Sequence, residues 1–228
     1  NINQEKMSKS LGNFFTIKEV LRQFAPETVR LFLLSTHYRS PIDFSDQNLK
    51  DMERARRRVY HLLYEVDRQL KREAVSTKKD EASGYPSVAT QVQEMIFRFE
   101  EAMDDDFNTA RALGSLFEVV RSLNGFLNDV SQKMDQKAHL IMKSFQENIR
   151  VIGSVLGLFQ GTPEQVLKGT GDQSALNLEE IQAKITQRVE ARKRKDWAEA
   201  DRIRKELADK GVLLKDLPDG TLDWEWNC

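Results

Sequence analysis

The sequence is poor in the residues from which many protein sites are built. It has one cysteine, Cys228, among 228 residues, which excludes a disulfide framework and fits a reducing compartment. Its histidines, His37, His61 and His139, are scattered and lack the spacing of a metal site, so no metal site is expected in this chain. No apolar run is long enough to cross a membrane, and no signal peptide is recognisable. These absences indicate a cytoplasmic protein without a membrane-spanning segment.

An excess of charge of one sign is also missing. The net charge is −1, while 31% of the residues are charged, which describes a salt-laced surface rather than a globally basic nucleic-acid binder. Any contact with RNA must therefore use local patches. The length is sufficient for one to three domains with a sizeable core.

The most informative stretch that is present is Lys6-Met7-Ser8-Lys9-Ser10. Two lysines three positions apart can bring two mobile ammonium groups to one polyphosphate. Cations that arrive near a transition state stabilise a departing pyrophosphate without holding the bound nucleotide too tightly. A solvated lysine and serine loop is the alternative interpretation.

This pentapeptide, KMSKS, resembles the signature loop of class I aminoacyl-tRNA synthetases, and the wider run KMSKSLGNFFTI is similar to the version in the cysteinyl-tRNA synthetase family. The resemblance implies that Lys6, Met7, Ser8, Lys9 and Ser10 bind ATP, which carries magnesium. It also implies that Lys6 and Lys9 are catalytic and stabilise pyrophosphate. In that family the nucleotide-binding domain and the zinc ligands precede this loop, so we expect a missing N-terminal domain, zinc only in that upstream part, and no activity from the 228-residue chain alone.

Apolar periodicity predicts a mainly α fold. Thr16 and Ser45 are predicted helix caps, and Pro26 is predicted to open a helix. The helix that follows Ser45 is predicted to extend to about Arg72. Three long amphipathic helices joined by polar connections indicate an antiparallel bundle. The last of them is predicted to point a set of apolar side chains inward, namely Leu140, Ile141, Phe145, Ile149, Ile152, Val155 and Leu156.

Two basic features of the first half have alternative interpretations. Arg39 lies in the stretch THYRSPIDF, which resembles the family segment near the tRNA acceptor stem, and it is either a phosphate contact or a plain surface arginine. Residues 54–72 hold seven basic side chains and two acidic ones, so that helix either faces an RNA backbone or is a solvated surface. Three consecutive carboxylates, Asp104 to Asp106, are predicted to precede a helix that Asn108 caps, rather than to bind a metal.

The tail combines a cationic run with a tryptophan. Residues 192–195 read Arg-Lys-Arg-Lys, Asp196 is a predicted N-cap, and Trp197 follows at once. Two short strands, 212–217 and 221–226, are predicted beyond it. A cationic cluster beside an aromatic face suits unpaired RNA, because phosphate binds the cations and a base stacks on the ring. The alternative is a tryptophan packed at a helix corner beside a solvated basic run.

The stretch from Arg192 to Asp201 resembles the ARxxKDWAxAD run of the anticodon module of cysteinyl-tRNA synthetases, in which a GCA anticodon is read. By position, the resemblance implies that Trp197 stacks on an anticodon base, and that Arg192, Asp201 and Asp216 make polar contacts to the tRNA. This sequence departs from the family pattern near its end, where two residues separate Thr221 from the next tryptophan.

Together these features predict a KMSKS loop and short-helix stem-contact region (1–45), a DALR-type helical bundle (46–159), a linker (160–177) and a small α+β anticodon-binding module (178–228). The predicted function is the C-terminal tRNA-binding part of a cysteine–tRNA ligase, with tRNA-Cys, cysteine and ATP as partners of the complete enzyme and a monomeric state. The alternatives are a cysteine ligase acting on an amino-sugar thiol precursor, a non-catalytic tRNA-binding module and a helical scaffold.

Overall fold

A computed structural model of the protein describes residues 16–71, 86–130, 135–169, 178–210, 212–216 and 222–226. The chain divides into two compact units, Asn1–Gln160 and Gly161–Cys228. Helices dominate the described residues and the strands form one small hairpin, so the predicted mainly α fold is confirmed. The finer division of the first unit at residue 45 stays a prediction.

Seven helices make up the described part of the first unit. They are α1 (Ile17–Gln23), α2 (Pro26–Leu34), α3 (Asp46–Leu70), α4 (Pro86–Gln93), α5 (Met95–Asp104), α6 (Thr109–Val130) and α7 (Gln136–Leu156). Glu94 separates α4 from α5, yet its amide donates to Thr90 and its carbonyl accepts from Arg98, so the helical hydrogen bonding continues across it. Helices α4 and α5 are therefore consecutive helices that pack as a pair.

Two side-chain caps and one proline mark where α1, α3 and α2 begin, as the sequence indicated. The Thr16 hydroxyl accepts from the backbone N–H of Glu19, whose carboxylate accepts in return from the Thr16 amide at 2.6 Å. Ser45 accepts from the amide of Asn48 at 3.1 Å, and Pro26 is the first residue of α2. These three predicted helix starts are confirmed.

The bundle is formed by α3, the α4–α5 pair, α6 and α7. Helix α3 and the α4–α5 pair each pack against both α6 and α7, and α2 packs on α3 and α6. The central side chains are fully buried, and they include Leu49, Val59, Val66, Leu123, Met142, Phe145 and Ile149. The predicted helical bundle is confirmed, with the α4–α5 pair as its fourth member.

The apolar stripe of α7 differs from the prediction. Leu140 and Val155 were expected inside and are 56% and 63% exposed, whereas Met142 is fully buried. The buried positions follow one another at spacings of four and three, through Ala138, Met142, Phe145, Ile149 and Ile152. Leu140 lies off this stripe. Beyond Ile152 the buried apolar positions are Leu158 and Phe159, which follow the helix.

A carboxylate at the start of α2 joins three segments of the first unit. Glu27 accepts hydrogen bonds from Arg56 and Tyr60 of α3, at 3.1 and 3.0 Å, and from the backbone amide of Phe159. Arg30 of the same helix donates to the carbonyl of Gly157 at 2.7 Å. The end of α7 is thereby bound to α2 and α3 through polar contacts rather than through apolar packing alone.

The second unit is a helix pair with a β-hairpin. Its elements are α8 (Pro163–Gly169), α9 (Leu178–Lys193), α10 (Trp197–Asp209), β1 (Val212–Asp216) and β2 (Leu222–Trp226). The strands are antiparallel, with Val212 opposite Trp226 and Leu214 opposite Trp224. The two predicted strands are confirmed within a residue. The stretch 160–177, predicted as a linker, contains α8, which packs on β2.

One apolar cluster holds this second unit together. Ile181 and Ile185 of α9 meet Ile203 and Leu207 of α10, and Val212 and Trp224 of the hairpin close the cluster. Trp224 is 7% exposed and packs within this cluster. A pair of helices of this size buries too little surface by itself, so the hairpin supplies the third layer of the core.

Candidate nucleic-acid interface

The KMSKS segment falls outside the described residues. Lys6, Met7, Ser8, Lys9 and Ser10 therefore keep their ATP-binding and catalytic roles as predictions. The described chain begins at the capping box of α1, directly downstream. There the Thr16 backbone amide, hydrogen-bonded to the Glu19 carboxylate, lowers the pKa of that group, which keeps the cap ionised at neutral pH.

Arg39, a predicted phosphate contact or surface arginine, already has partners. Its Nε lies 3.1 Å from a carboxylate oxygen of Asp106 and donates to the Tyr38 hydroxyl at 2.9 Å. The Tyr38 hydroxyl donates in turn to Asp106 at 2.8 Å. The arginine side chain is still 67% exposed. A phosphate at this place would have to share Arg39 with Asp106.

Of the three consecutive aspartates, Asp104 ends α5, while Asp105 and Asp106 take part in ion pairs. Asp105 lies 3.6 Å from Arg111, and Asp106 adopts a positive φ of 54° beside Arg39. Asn108 accepts from the amide of Arg111 at 3.0 Å, which confirms it as the side-chain cap of α6. Within the described ranges, no group of three or more His, Cys, Asp or Glu side chains is arranged to hold a metal ion.

The basic helix α3 does not form a continuous RNA-facing surface. Arg56 and Arg57 are 2% and 7% exposed, so neither the RNA-facing interpretation nor the solvated one is right for them. Arg56 donates to Glu53 at 2.7 Å and to Glu27 at 3.1 Å. The count of basic residues along α3 could not show this burial. A long cationic side chain can enter a core when carboxylates on neighbouring turns and helices neutralise it.

The predicted anticodon-contact residues lie around a tight corner between α9 and α10. The amide of Asp196 donates to the carbonyl of Ala191, and that of Lys195 to the carbonyl of Arg192. This is the Schellman arrangement, and Lys195 occupies its left-handed position with φ 62°. Asp196 then caps α10 by accepting from the amide of Glu199 at 3.1 Å. The predicted cap is confirmed. Asp196 thus takes part both in the end of α9, through its amide, and in the start of α10, through its side chain.

This corner places Trp197 on the surface. Trp197 is the first residue of α10 and is 58% exposed, so the alternative of a tryptophan packed into the corner is wrong. All four side chains of the basic run, residues 192–195, are exposed as well. The apolar positions that do hold the corner are small, Ala191 at 0% exposure and Ala200 at 3%. An accessible aromatic ring therefore stands next to a local excess of positive charge.

The remaining predicted contacts are distributed over α9, α10 and β1. Asp201 is exposed and lies four residues after Trp197, so the two are surface neighbours on α10. Arg192 lies in the last turn of α9, across the corner from Trp197. Asp216 is the last residue of β1, opposite Leu222. The structure thus brings Arg192, Trp197 and Asp201 to one helix corner, while Asp216 belongs to the hairpin.

Ion pairs neutralise part of the charge on the rest of this helix pair. The hydrogen bonds from Arg202 lower the pKa of Glu199, and the Arg202 guanidinium has its own pKa raised by the same carboxylate. Hydrogen bonds from Lys184 and then Lys210 lower the pKa of Glu206. Both glutamates are consequently ionised at neutral pH. These pairs leave the excess of positive charge concentrated at the corner.

Family models match three consecutive parts of the chain. Residues 1–54 match the tRNA synthetases class I (C) catalytic domain, residues 98–160 the DALR domain, and residues 179–222 the cysteinyl-tRNA ligase anticodon binding domain. The last of these contains the corner between α9 and α10, the strand β1 and the first residue of β2. The bundle helices α6 and α7 lie within the DALR match.

Curated relatives extend the similarity to the whole chain. A cysteine–tRNA ligase of Pelobacter propionicus is 44% identical over 100% of this chain and 47% of its own length. One from Geobacter metallireducens is 45% identical over 97% of this chain and 45% of its own length. A third, from Trichlorobacter lovleyi, is 43% identical over 97% of this chain and 46% of its own length. The chain spans about half the length of the curated relatives it matches. No helix among the described residues is long and apolar enough to cross a membrane.

Proposed function

Because the chain belongs to the cysteinyl-tRNA synthetase family, we propose that it is the tRNA-binding part of a cysteine–tRNA ligase and reads the anticodon with the corner between α9 and α10. The observation that carries this proposal is the 58% exposure of Trp197 beside the four exposed cations of residues 192–195. A base stacked on this ring would remove its apolar face from water.

The chemistry of the corner suits an unpaired base. Stacking on an aromatic side chain contributes about 1–3 kcal/mol per base and requires an open ring face. In this proposal Asp201, one turn along α10, would accept a hydrogen bond from an exocyclic amino group, and Arg192 would donate to a base or to phosphate. Asp216 is included by its place in the family motif. The family module reads a GCA anticodon, and we infer the same for this chain.

The activity of the whole protein belongs to the same proposal. The ligase would join cysteine to ATP, release pyrophosphate and transfer cysteine to the 3′ end of its tRNA. Lys6 and Lys9 would place positive charge on the departing pyrophosphate, with Met7, Ser8 and Ser10 shaping the ATP contact. We further infer magnesium with the ATP and a monomeric protein in the cytoplasm, where this tRNA is charged. No described residue group fits a metal site, so neither magnesium nor zinc is assigned to side chains here.

The amino-sugar ligase is not favoured as an alternative. Such an enzyme needs the KMSKS loop but has no use for an anticodon reader, whereas residues 179–222 match an anticodon binding domain. A helical scaffold is disfavoured for the same reason.

The test is a binding titration of the 228-residue chain against a cysteine-accepting tRNA and the same tRNA with a changed anticodon. We expect tighter binding of the native anticodon, and we expect Trp197→Ala to weaken that binding by about fivefold to a hundredfold, in line with the loss of one stacked base. Trp197→Phe keeps a ring and should retain most of the preference. Equal binding of both tRNAs, with the same salt dependence, would contradict anticodon reading and leave only nonspecific phosphate contacts.

A further inference from the structure

Helix α10 carries two arginines, two residues apart, in very different surroundings. Arg202 donates to Glu199 at 2.6 and 2.8 Å, which forms a two-pronged ion pair on the helix surface. Arg204 is exposed, and its side chain has neither a hydrogen bond nor an ion pair within the described part of the chain. Arg204 is thus available to a ligand, while Arg202 must first give up Glu199.

The two arginines also point to different faces of the helix. At 3.6 residues per turn, Trp197, Asp201 and Arg204 fall within an arc of about 60°, whereas Arg202 lies about 140° from Trp197. Arg204 is two turns along α10 from Trp197, at an axial distance of about 10 Å. The buried side of the helix, formed by Ala200, Ile203 and Leu207, lies next to this arc. Trp197, Asp201 and Arg204 therefore form one exposed strip.

We propose that Arg204 binds a backbone phosphate of the RNA whose base stacks on Trp197. This inference rests on the proposed anticodon reading and adds a contact that extends the strip away from the corner. In a stacked strand that rises about 3.4 Å per nucleotide, an axial distance of about 10 Å corresponds to about three nucleotides. The guanidinium is suited to phosphate because its planar donors can bind two oxygens at once.

A phosphate contact and a base contact make different predictions. A phosphate contact weakens binding equally for all anticodons when it is removed, and it lowers the dependence of affinity on salt. A base contact changes the preference among anticodons. The assignment to phosphate follows from the position of Arg204 two turns beyond the ring, where the strand backbone continues after the stacked base.

The experiment compares Arg204→Gln with Arg202→Gln in the 228-residue chain. Fluorescence anisotropy would measure the Kd for an RNA stem-loop with a GCA anticodon, and for one with a changed anticodon, over a range of salt concentrations. For Arg204→Gln we expect about fivefold to tenfold weaker binding of both RNAs and a salt slope smaller by about 0.7. The Arg202→Gln protein should bind both RNAs with a Kd within about twofold of that of the unsubstituted chain, because Arg202 is already paired with Glu199. Arg204→Lys should restore the slope.

Two results would overturn the inference. An Arg204→Gln protein with the affinities and salt slope of the unsubstituted chain would show that Arg204 makes no contact, and a loss confined to the GCA stem-loop would assign it to a base instead. Failure of the proposed function looks different, because the unsubstituted chain would then fail to distinguish the two stem-loops. A chain that prefers GCA through Trp197 but ignores Arg204→Gln would sink the inference alone.

Discussion

Replacing Arg56 by alanine should destabilise the first unit far more than the same change at Arg54, two residues earlier in α3. Both arginines pair with a carboxylate three residues before them, and both pairs have an N–O distance of 2.7 Å. The difference is burial, since the side chain of Arg56 is 3% exposed and that of Arg54 is 61% exposed. Arg54→Ala is therefore a matched control for the effect of burial.

The size of each loss of stability depends on the carboxylates that remain without their arginine. Without Arg56, Glu27 and Glu53 lose the cation that they pair with directly, although both side chains are less than 20% exposed. Removing one partner of a buried ion pair typically costs about 3–5 kcal/mol. Some compensation remains, because Tyr60 still donates to Glu27 and Thr28 to Glu53. We expect a loss of about 3 kcal/mol for Arg56→Ala, and at most about 1 kcal/mol for the exposed Arg54 pair.

The difference in stability between the native protein and the Arg56→Ala protein should also depend on pH. Burial by itself raises the pKa of Glu53, but hydrogen bonds from Arg56 and Thr28 and the charges of Arg56 and Arg57 outweigh it, so the pKa is lowered on balance. A lowered folded-state pKa contributes stability that is present above the unfolded-state value and is lost as the pH falls through the folded-state value. The advantage of the native protein over the Arg56→Ala protein should therefore shrink below about pH 4.

Urea unfolding followed by circular dichroism at 222 nm measures both free energies. All three tryptophans lie after residue 196, so tryptophan fluorescence follows the second unit and allows the transition of the first unit to be assigned. The reasoning would be refuted if Arg56→Ala and Arg54→Ala cost the same free energy of unfolding at neutral pH. It would also fail if their difference grew on acidification.

Three further predictions concern backbone conformation and the cap of a helix. Gly157→Ala should destabilise the first unit by about 2 kcal/mol in urea unfolding, because the residue has φ 66° and a Cβ would lie 2.3 Å from Nη1 of Arg30; unchanged stability would contradict this. Lys195→Gly should stabilise the second unit by about 1 kcal/mol, measured by tryptophan fluorescence, since φ 62° suits glycine. Asp196→Ala should cost about 1 kcal/mol by removing the cap of α10, whereas Asp196→Asn should cost much less.

Features that depend on a few adjacent residues could be predicted from the sequence alone. Helix starts at Thr16, Pro26 and Ser45 were predictable because capping and proline geometry depend on a few adjacent residues. The cap at Asp196 and the hairpin strands were predictable for the same reason. The family motifs likewise lie in short contiguous runs, at Lys6 to Ser10 and at Arg192 to Asp201.

Tertiary structure decided which polar and apolar side chains are covered. Arg56 enters the core because Glu27, 29 residues away, meets it across a helix interface, and no local pattern encodes that meeting. Leu140 stays exposed because the neighbours of α7 select another stripe of the same helix. Trp197 is open because the corner between α9 and α10 turns it outward. Burial is a property of contacts between distant segments, whereas a cap or a motif is complete within one turn of chain.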